Sequence, residues 1–130
     1  MFTIEQIKAA HAKVQSGADF PKYIRDLILL GVTGYETYVS DSHTLFFGKD
    51  NYAVKSEAKY TPLTIADKSE PASFIKDLKE HQQGKSDYPS FCQSCAKYGV
   101  EKWLVDMAKM TCSYFDKAGN EILAEVIPTP

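Results

Sequence analysis

Residues 31–39 read GVTGYETYV, and residues 99–107 read GVEKWLVDM. In both segments a Gly-Val pair is followed, after two intervening residues, by an aromatic side chain, Tyr35 in the first and Trp103 in the second. A glycine of this kind is typical of a helix end, and the residues behind it have the composition of a strand. The two segments lie 68 residues apart, and this spacing decides the predicted fold.

The same shift aligns the rest of the chain with itself without a gap. It places predicted helix starts on helix starts and strand aromatics on strand aromatics. The matched pairs are Ile7 with Ile75, Lys8 with Lys76, Asp19 with Asp87, Phe20 with Tyr88, Pro21 with Pro89, Tyr23 with Phe91, Phe46 with Tyr114, Phe47 with Phe115 and Lys49 with Lys117. The pattern predicts an internal duplication, with repeat one at 1–56, a connector at 57–69 and repeat two at 70–127.

The composition predicts one globular domain, 1–130. A chain of 130 residues buries roughly two-thirds of its unfolded surface. Hydrophobic residues make up 44% of it, which argues against disorder. The net charge is −2 and the basic residues are scattered. Because phosphate contacts dominate affinity for nucleic acids, we expect no nucleic-acid partner.

No segment of the sequence indicates a transmembrane helix or a signal peptide. The uncharged run at 27–35 is far shorter than the ~20 residues that a membrane-spanning helix needs. The N-terminus, MFTIEQ, lacks the cationic start and apolar stretch of a signal peptide. Three cysteines, an odd number, favour a reducing compartment. We therefore expect a cytoplasmic protein with no membrane partner.

Capping and turn residues predict the elements of each half. Thr3 and Gln6 have capping-box spacing, Asp19 is placed to cap a second helix, and Gly31 ends that helix. The predicted helices are 4–15, 20–30, 71–83 and 88–98, and the predicted strands are 32–41, 44–47, 52–55, 100–107, 110–116 and 121–127. The fold class is therefore α+β, a two-layer α/β sandwich built from two α-α-β-β-β repeats with pseudo-twofold symmetry.

Alternation along the first strand separates its two faces. Tyr35 should face the helices, whereas Glu36 and Tyr38 should lie on the opposite face of the sheet. With Lys102 and Asp106 of the matched strand they form a candidate patch for binding a ligand or partner. The alternative is an open sheet face on which the same side chains are simply solvated.

Cys92 and Cys95 have the spacing of a redox or zinc motif. The 68-residue shift places them on Ile24 and Leu27, which are apolar positions of a helix, so we expect both thiols in the core. Cys112 should be structural as well. We expect no metal site, although a thiol-redox or zinc protein remains an alternative.

No motif identifies a catalytic site or a cofactor. The chain has no Gly-x-Ser-x-Gly, no His-Glu-x-x-His and no dinucleotide-binding glycine pattern, so no cofactor and no catalytic residue is predicted. His11 lies on an apolar helical stripe and should be a partly buried, hydrogen-bonded ring. His81 lies in the last turn of a helix, where the dipole favours a cation. His43 should be a solvated turn residue.

The C-terminal half resembles the YbcV/YdfO-like family of small bacterial and prophage proteins. The motif consists of Gly99-Val100, Trp103, Val105-Asp106, Met110-Thr111-Cys112, Tyr114, the turn Lys117-Ala118-Gly119-Asn120 and Ile127-Pro128, with Gly31-Val32, Tyr35 and Gly48 in the first half. The resemblance implies a two-layer α/β fold and a loose label, "phage envelope protein". It implies no catalytic residues.

These observations favour a protein that functions without catalysis, by binding a protein partner or by self-association, because an unpaired edge strand can pair with another chain. One alternative is a small-molecule binder or enzyme that uses a cleft between the repeats, with Glu36, Tyr38 and Asp106 as polar anchors. The other is the thiol or zinc protein based on Cys92 and Cys95.

Overall fold

The computed structural model describes residues 2–15 and 17–128. Its helices are α1 Ile4–His11, α2 Phe20–Leu30, α3 Pro71–Gln82 and α4 Tyr88–Lys97; its strands are β1 Gly34–Tyr38, β2 Thr44–Phe47, β3 Ala53–Lys55, β4 Lys102–Asp106, β5 Thr111–Phe115 and β6 Glu121–Val126. Within the described ranges the class is α+β, as predicted. No helix in those ranges combines the length and apolar character that crossing a bilayer requires.

One antiparallel sheet contains all six strands in the order β3-β2-β1-β4-β5-β6. The halves of the chain therefore meet at the pairing of β1 with β4, where Tyr35 lies opposite Val105 and Glu36 lies opposite Leu104. β3 and β6 form the two outer edges. In the strand pair β5–β6 the register shifts between Tyr114 and Phe115.

The helices pack on one face of this sheet. Tyr35, Thr37 and Val39 are all buried in the core that the helices complete, which confirms the predicted inward face of the first strand. The opposite face, called here the open face, carries Glu36 and Tyr38, which are only half-buried. The core is thus the layer between the sheet and the helices.

Helix α1 begins as predicted but ends earlier than predicted. The capping box of α1 is confirmed, because the backbone N–H of Gln6 donates to Oγ1 of Thr3 at 3.2 Å and the backbone N–H of Thr3 donates to the Gln6 side chain at 2.9 Å. The end of α1 was predicted at Gln15 but lies at His11. The N–H groups of Lys13 and Val14 bond to carbonyls only three residues back, which closes tight turns in place of another helical turn.

Asp19 does not cap α2 as predicted. Its carboxylate instead accepts from the backbone N–H of Gln15 at 2.9 Å and so closes the loop before the helix. The matched Asp87 does cap α4, because its side chain accepts from the N–H of Ser90 at 2.8 Å. One residue type at matched positions thus serves two local structures.

Gly31 and Gly99 follow α2 and α4 with positive φ angles of 100° and 81°, as the sequence predicts for helix-ending glycines. Their surroundings differ. A Cβ at Gly31 would meet nothing within 4 Å, whereas a Cβ at Gly99 would lie 2.7 Å from the Cα of Ser69 and 2.8 Å from the carbonyl oxygen of Lys68. Gly99 is therefore required both by its φ angle and by the backbone of the connector.

We predict that Gly99→Ala destabilises the protein much more than Gly31→Ala. A left-handed alanine costs about 1–2 kcal/mol at either position, and the clash with the connector backbone adds about 1–3 kcal/mol at Gly99 alone. Urea denaturation of the two variants measures the difference in the free energy of unfolding. Equal losses would contradict the close approach of the connector to α4.

Candidate functional site

A cavity of about 500 Å³ lies between the helices and the sheet. It is partly open to solvent, and its lining is mostly apolar. A cavity of ~300–1,000 Å³ with an apolar lining and a few polar groups is typical of small-molecule sites. The sequence left open a ligand cleft between the repeats, but its expected anchors Glu36, Tyr38 and Asp106 are not among the residues that line this cavity.

The floor of the cavity is the inner face of the sheet. It is formed by aromatic and small side chains of four central strands, namely Tyr35, Thr37, Thr44, Phe46, Trp103, Cys112 and Tyr114. The rings contact one another, with centroids 5.5 Å apart for Tyr35 and Phe46 and 6.3 Å apart for Trp103 and Tyr114. These contacts hold the rings in place, so the floor is preformed.

The polar groups of the floor are paired with each other. The hydroxyls of Thr37 and Thr44 lie 2.9 Å apart across β1 and β2, and both residues are buried. Burial also raises the pKa of the Tyr35 hydroxyl, with a side-chain hydrogen bond to Trp103 acting in the opposite direction. The floor is therefore neutral and offers an apolar, aromatic surface.

His11 forms part of the wall on the side of α1 and α2. Its ring meets the edges of Tyr23 and Tyr88, with centroids 5.5 and 6.2 Å away. Burial lowers the pKa of His11, and the positive charge of Lys59 lowers it further. The predicted partial burial of His11 is confirmed. The predicted hydrogen bond is not, because the His11 ring forms none with the other described residues. His11 is therefore a neutral imidazole facing a cation.

His81 and Gln82 form the wall on the side of α3. The His81 ring stacks on Phe91 with centroids 4.3 Å apart, and its Nδ1 lies 3.2 Å from the carbonyl oxygen of Ser86. His81 lies in the last turn of α3, as predicted, and burial lowers its pKa, which opposes the effect of the helix dipole. The Gln82 amide donates to Glu125 of β6 at 2.9 Å, which closes this end of the cavity.

The predicted polar patch lies on the open face, away from the cavity. Three of its members come together, since Tyr38 donates its hydroxyl hydrogen to Glu36 and Lys102 Nζ lies 3.2 Å from the same carboxylate. The hydrogen bond to Glu36 raises the pKa of Tyr38 to about 12. Because these groups satisfy one another, a ligand here would have to displace an internal contact.

Asp106 lies apart from the other three. It is paired with Gly34 at the far end of the β1–β4 ladder, and its carboxylate accepts from the backbone N–H groups of Ala108 and Lys109 at 2.9 and 3.1 Å. These bonds shape the turn between β4 and β5, so Asp106 has a local structural task. The sequence placed it on the correct face but did not predict its distance from Glu36.

Two further residues join the patch that the sequence did not assign to it. His43 stacks on Tyr38 with centroids 4.6 Å apart and an angle of 7° between the rings, and Asp41 lies 2.6 Å from Nδ1 of His43. His43 is thus held in place instead of being a solvated turn residue. Its position two residues after Asp41 is a typical Asx-turn signal that could have indicated this contact.

The three cysteines lie in the core, as expected. Cys92 and Cys95 are fully buried on α4, Cys112 is 3% exposed, and all three are free thiols. Burial raises the pKa of each thiol, that of Cys112 to about 12. Among residues 2–15 and 17–128, no cluster of three or more His, Cys, Asp or Glu side chains has the arrangement of a metal site.

We predict that the native protein reacts slowly with a thiol reagent. At mildly alkaline pH, Ellman's reagent should label essentially no cysteine of the folded protein, because buried thiols with raised pKa values form little thiolate. In concentrated guanidinium, where the chain is unfolded, the reagent should label all three cysteines. Absorbance at the reagent's product band measures the count. Rapid labelling of the folded protein, or zinc found in the purified protein, would restore the thiol alternative.

Comparison with known proteins places the chain in a family without naming an activity. No curated protein matches it. A family model described as "Protein of unknown function (DUF1398)" matches residues 8–126. This range begins within α1 and ends with β6, so it includes nearly every residue of the cavity and of the patch. The chain belongs to the DUF1398 family of proteins of unknown function.

Proposed function

We propose that this protein binds a small, largely apolar molecule in the cavity between its sheet and its helices. The observation that carries the proposal is the cavity itself, about 500 Å³ in volume with an aromatic floor. Such a volume left open in a close-packed domain sacrifices packing contacts, and a ligand restores them. The proposal is one of the alternatives that the sequence left open, with the cavity in place of the open face as the site.

The polar groups around the cavity support a ligand that is not purely hydrocarbon. The walls contain His11, Tyr23, Lys59 and Gln82, and the Tyr23 hydroxyl makes no hydrogen bond to another described residue. A few convergent polar groups in an apolar lining fix the orientation of a bound molecule. The site therefore suits an amphipathic ligand.

We predict that N-phenyl-1-naphthylamine, a neutral probe that fluoresces in apolar sites, binds the protein. Trp103 is the only tryptophan of the chain and forms part of the floor, so energy transfer from Trp103 to the probe reports occupancy. Val14 is a half-buried residue of the lining. Val14→Phe should weaken binding of the probe by about tenfold, because the larger ring fills part of the cavity and overpacking of this kind costs about 1–3 kcal/mol.

The matched control is Leu29→Phe, which adds the same ring type on α2 at a position that is 76% exposed and outside the lining. This variant should bind the probe like the unmodified protein. Absence of binding, or equal binding by Val14→Phe, would remove the support for a ligand site in the cavity.

The internal duplication with pseudo-twofold symmetry is part of the proposal. In the β1–β2 hairpin Gly34 lies opposite Phe47, and in the β4–β5 hairpin Lys102 lies opposite Phe115, so the shift of 68 residues maps one register on the other. At the centre of the sheet Glu36 is paired with residue 104, its own counterpart under that shift. A twofold axis through this pair supports two repeats, 1–56 and 70–127, within one domain, 1–130.

The lining of the cavity supports the same symmetry. Matched positions of the two repeats occur on both sides of it: Val14 and Gln82, Phe20 and Tyr88, Tyr23 and Phe91, Tyr35 and Trp103, Thr44 and Cys112, and Phe46 and Tyr114. A cavity on the proposed axis, with walls from both repeats, is the expected seam of a duplicated unit.

The closer assignment to YbcV/YdfO-like prophage proteins, and a cytoplasmic location, also remain proposals.

Self-association is a second candidate function, and the outer strand β6 favours it. β6 has six residues, it is an edge of the sheet, and Val126 at its end is 77% exposed. An edge of this length offers backbone groups to a second copy of the chain. In this arrangement the sheet would continue across two molecules, and the open faces, with Glu36, Tyr38, Lys102 and Asp106, would form one larger partner surface.

We predict that Ala124→Lys reduces self-association, because a lysine on an edge strand disfavours pairing with another strand. Ala53→Lys is the matched control. Ala53 is also an exposed alanine, on the opposite edge strand β3. Light scattering coupled to size-exclusion chromatography measures the mass of each variant. A monomeric unmodified protein at high concentration, or equal effects of the two lysines, would contradict association through β6.

A further inference from the structure

We infer that the ligand of the cavity is an amphipathic carboxylate, whose carboxylate binds at Lys59 and whose apolar body extends toward Ile127. The inference rests on the ligand-binding function proposed above and names the class of ligand. It follows from the charges around the cavity, which differ between its two ends although the floor is shared by both halves of the chain.

Lys59 reaches the cavity because the connector is bound to the turn between β1 and β2. The backbone N–H of Lys59 donates to the carbonyl of Asp41 at 2.8 Å, and that of Leu63 donates to the carbonyl of Ser40 at 2.6 Å. Tyr60 adds a hydrogen bond from its hydroxyl to the carbonyl of Val39. A segment that the sequence marks only as a connector thus positions the one lysine of the cavity lining.

Among residues 2–15 and 17–128, no acidic side chain forms an ion pair with the ammonium group of Lys59. The ion pairs among the described residues join His43 with Asp41, Lys102 with Glu36 and Lys117 with Asp67. The residue as a whole is exposed, yet enough protein surrounds its ammonium for burial to lower the pKa of Lys59. A partly desolvated cation without a counter-ion is stabilised by an anion that enters the cavity.

His11 supplies a second donor beside Lys59. Both residues line the cavity, and the charge of Lys59 is close enough to contribute to the lowered pKa of His11. The neutral imidazole carries one N–H that can donate. An ammonium and a neutral imidazole together suit the two oxygens of a carboxylate.

The opposite end of the cavity excludes a carboxylate. Ile127, which the 68-residue shift aligns with Lys59, lines the cavity and is 4% exposed. Its N–H donates to the carbonyl of Met110 in the turn between β4 and β5, and the antiparallel pairing of β1 with β4 puts this turn at the other end of the strands from the β1–β2 turn that binds Lys59. The carboxylate of Glu125, two residues before Ile127, is held by Gln82 and would repel a second negative charge. The apolar body of the ligand therefore lies here.

The charge of the site fits a monoanion. Lysine acts as a single point charge, and the lining contains one lysine and no arginine. Tight recognition of a phosphate usually involves bidentate arginine or several donors. A carboxylic acid, which carries one charge at neutral pH, therefore matches Lys59 better than a phosphomonoester does.

The experiment compares ligands that share a body and differ in charge. Isothermal titration at neutral pH measures the affinity for 2-naphthoic acid against 2-naphthalenemethanol, and for decanoic acid against decanol. We expect each acid to bind about tenfold more tightly than its alcohol, since a charge-assisted hydrogen bond contributes roughly that factor. Lys59→Met should abolish the preference and leave the affinity for the alcohols unchanged within about twofold.

Lys68→Met is the matched control, because Lys68 is an exposed lysine of the same connector that lies outside the lining. It should retain the full preference for acids. Equal affinity for acids and alcohols in the unmodified protein, or a preference that survives Lys59→Met, overturns the inference while the ligand site stands. If neither class binds and neither displaces N-phenyl-1-naphthylamine, the proposed function fails and the inference fails with it.

Discussion

The pairing of β1 with β4 is the interaction on which the rest of the structure depends, because it joins the two halves into one sheet. It requires a very close approach of backbones at one point. A Cβ on Gly34 would lie 2.7 Å from the carbonyl oxygen of Val105, so glycine at this position lets the strands pair in register. The pairing brings Tyr35 and Trp103 onto the same face, where they form the floor that both helix pairs cover.

The α+β fold class was largely predictable because the local signals along the chain agree with one another. Helix starts follow from capping residues such as Thr3 and Asp87, and strand faces follow from alternation around Tyr35. The errors arise where two local structures compete for one side chain. Asp19 has the position of a helix cap, but its carboxylate binds the N–H of Gln15, and a sequence pattern does not show which donor is nearer.

The site was less predictable than the fold, and the reason is physical. Alternation assigns a side chain to a face, so Glu36 and Lys102 could be placed together, and the structure does bring them into contact. A cavity, in contrast, depends on how the volumes of distant side chains fill the space between two layers. Nor does any periodicity indicate that Lys59, in an irregular segment, returns to the sheet through hydrogen bonds to the turn after β1.

In the proposed function, the positions that break the proposed symmetry carry the charge of the site. Matched aromatic residues give the cavity a floor on which a ligand would fit equally well in either of two directions. The walls remove this equivalence, since Lys59 of the connector aligns with Ile127, and Lys79, the counterpart of His11, lies outside the lining. Under the proposed duplication, the matched residues supply volume and shape, whereas the unmatched residues supply charge. The direction and chemical class of the proposed ligand would therefore be set by the few positions at which the two halves differ.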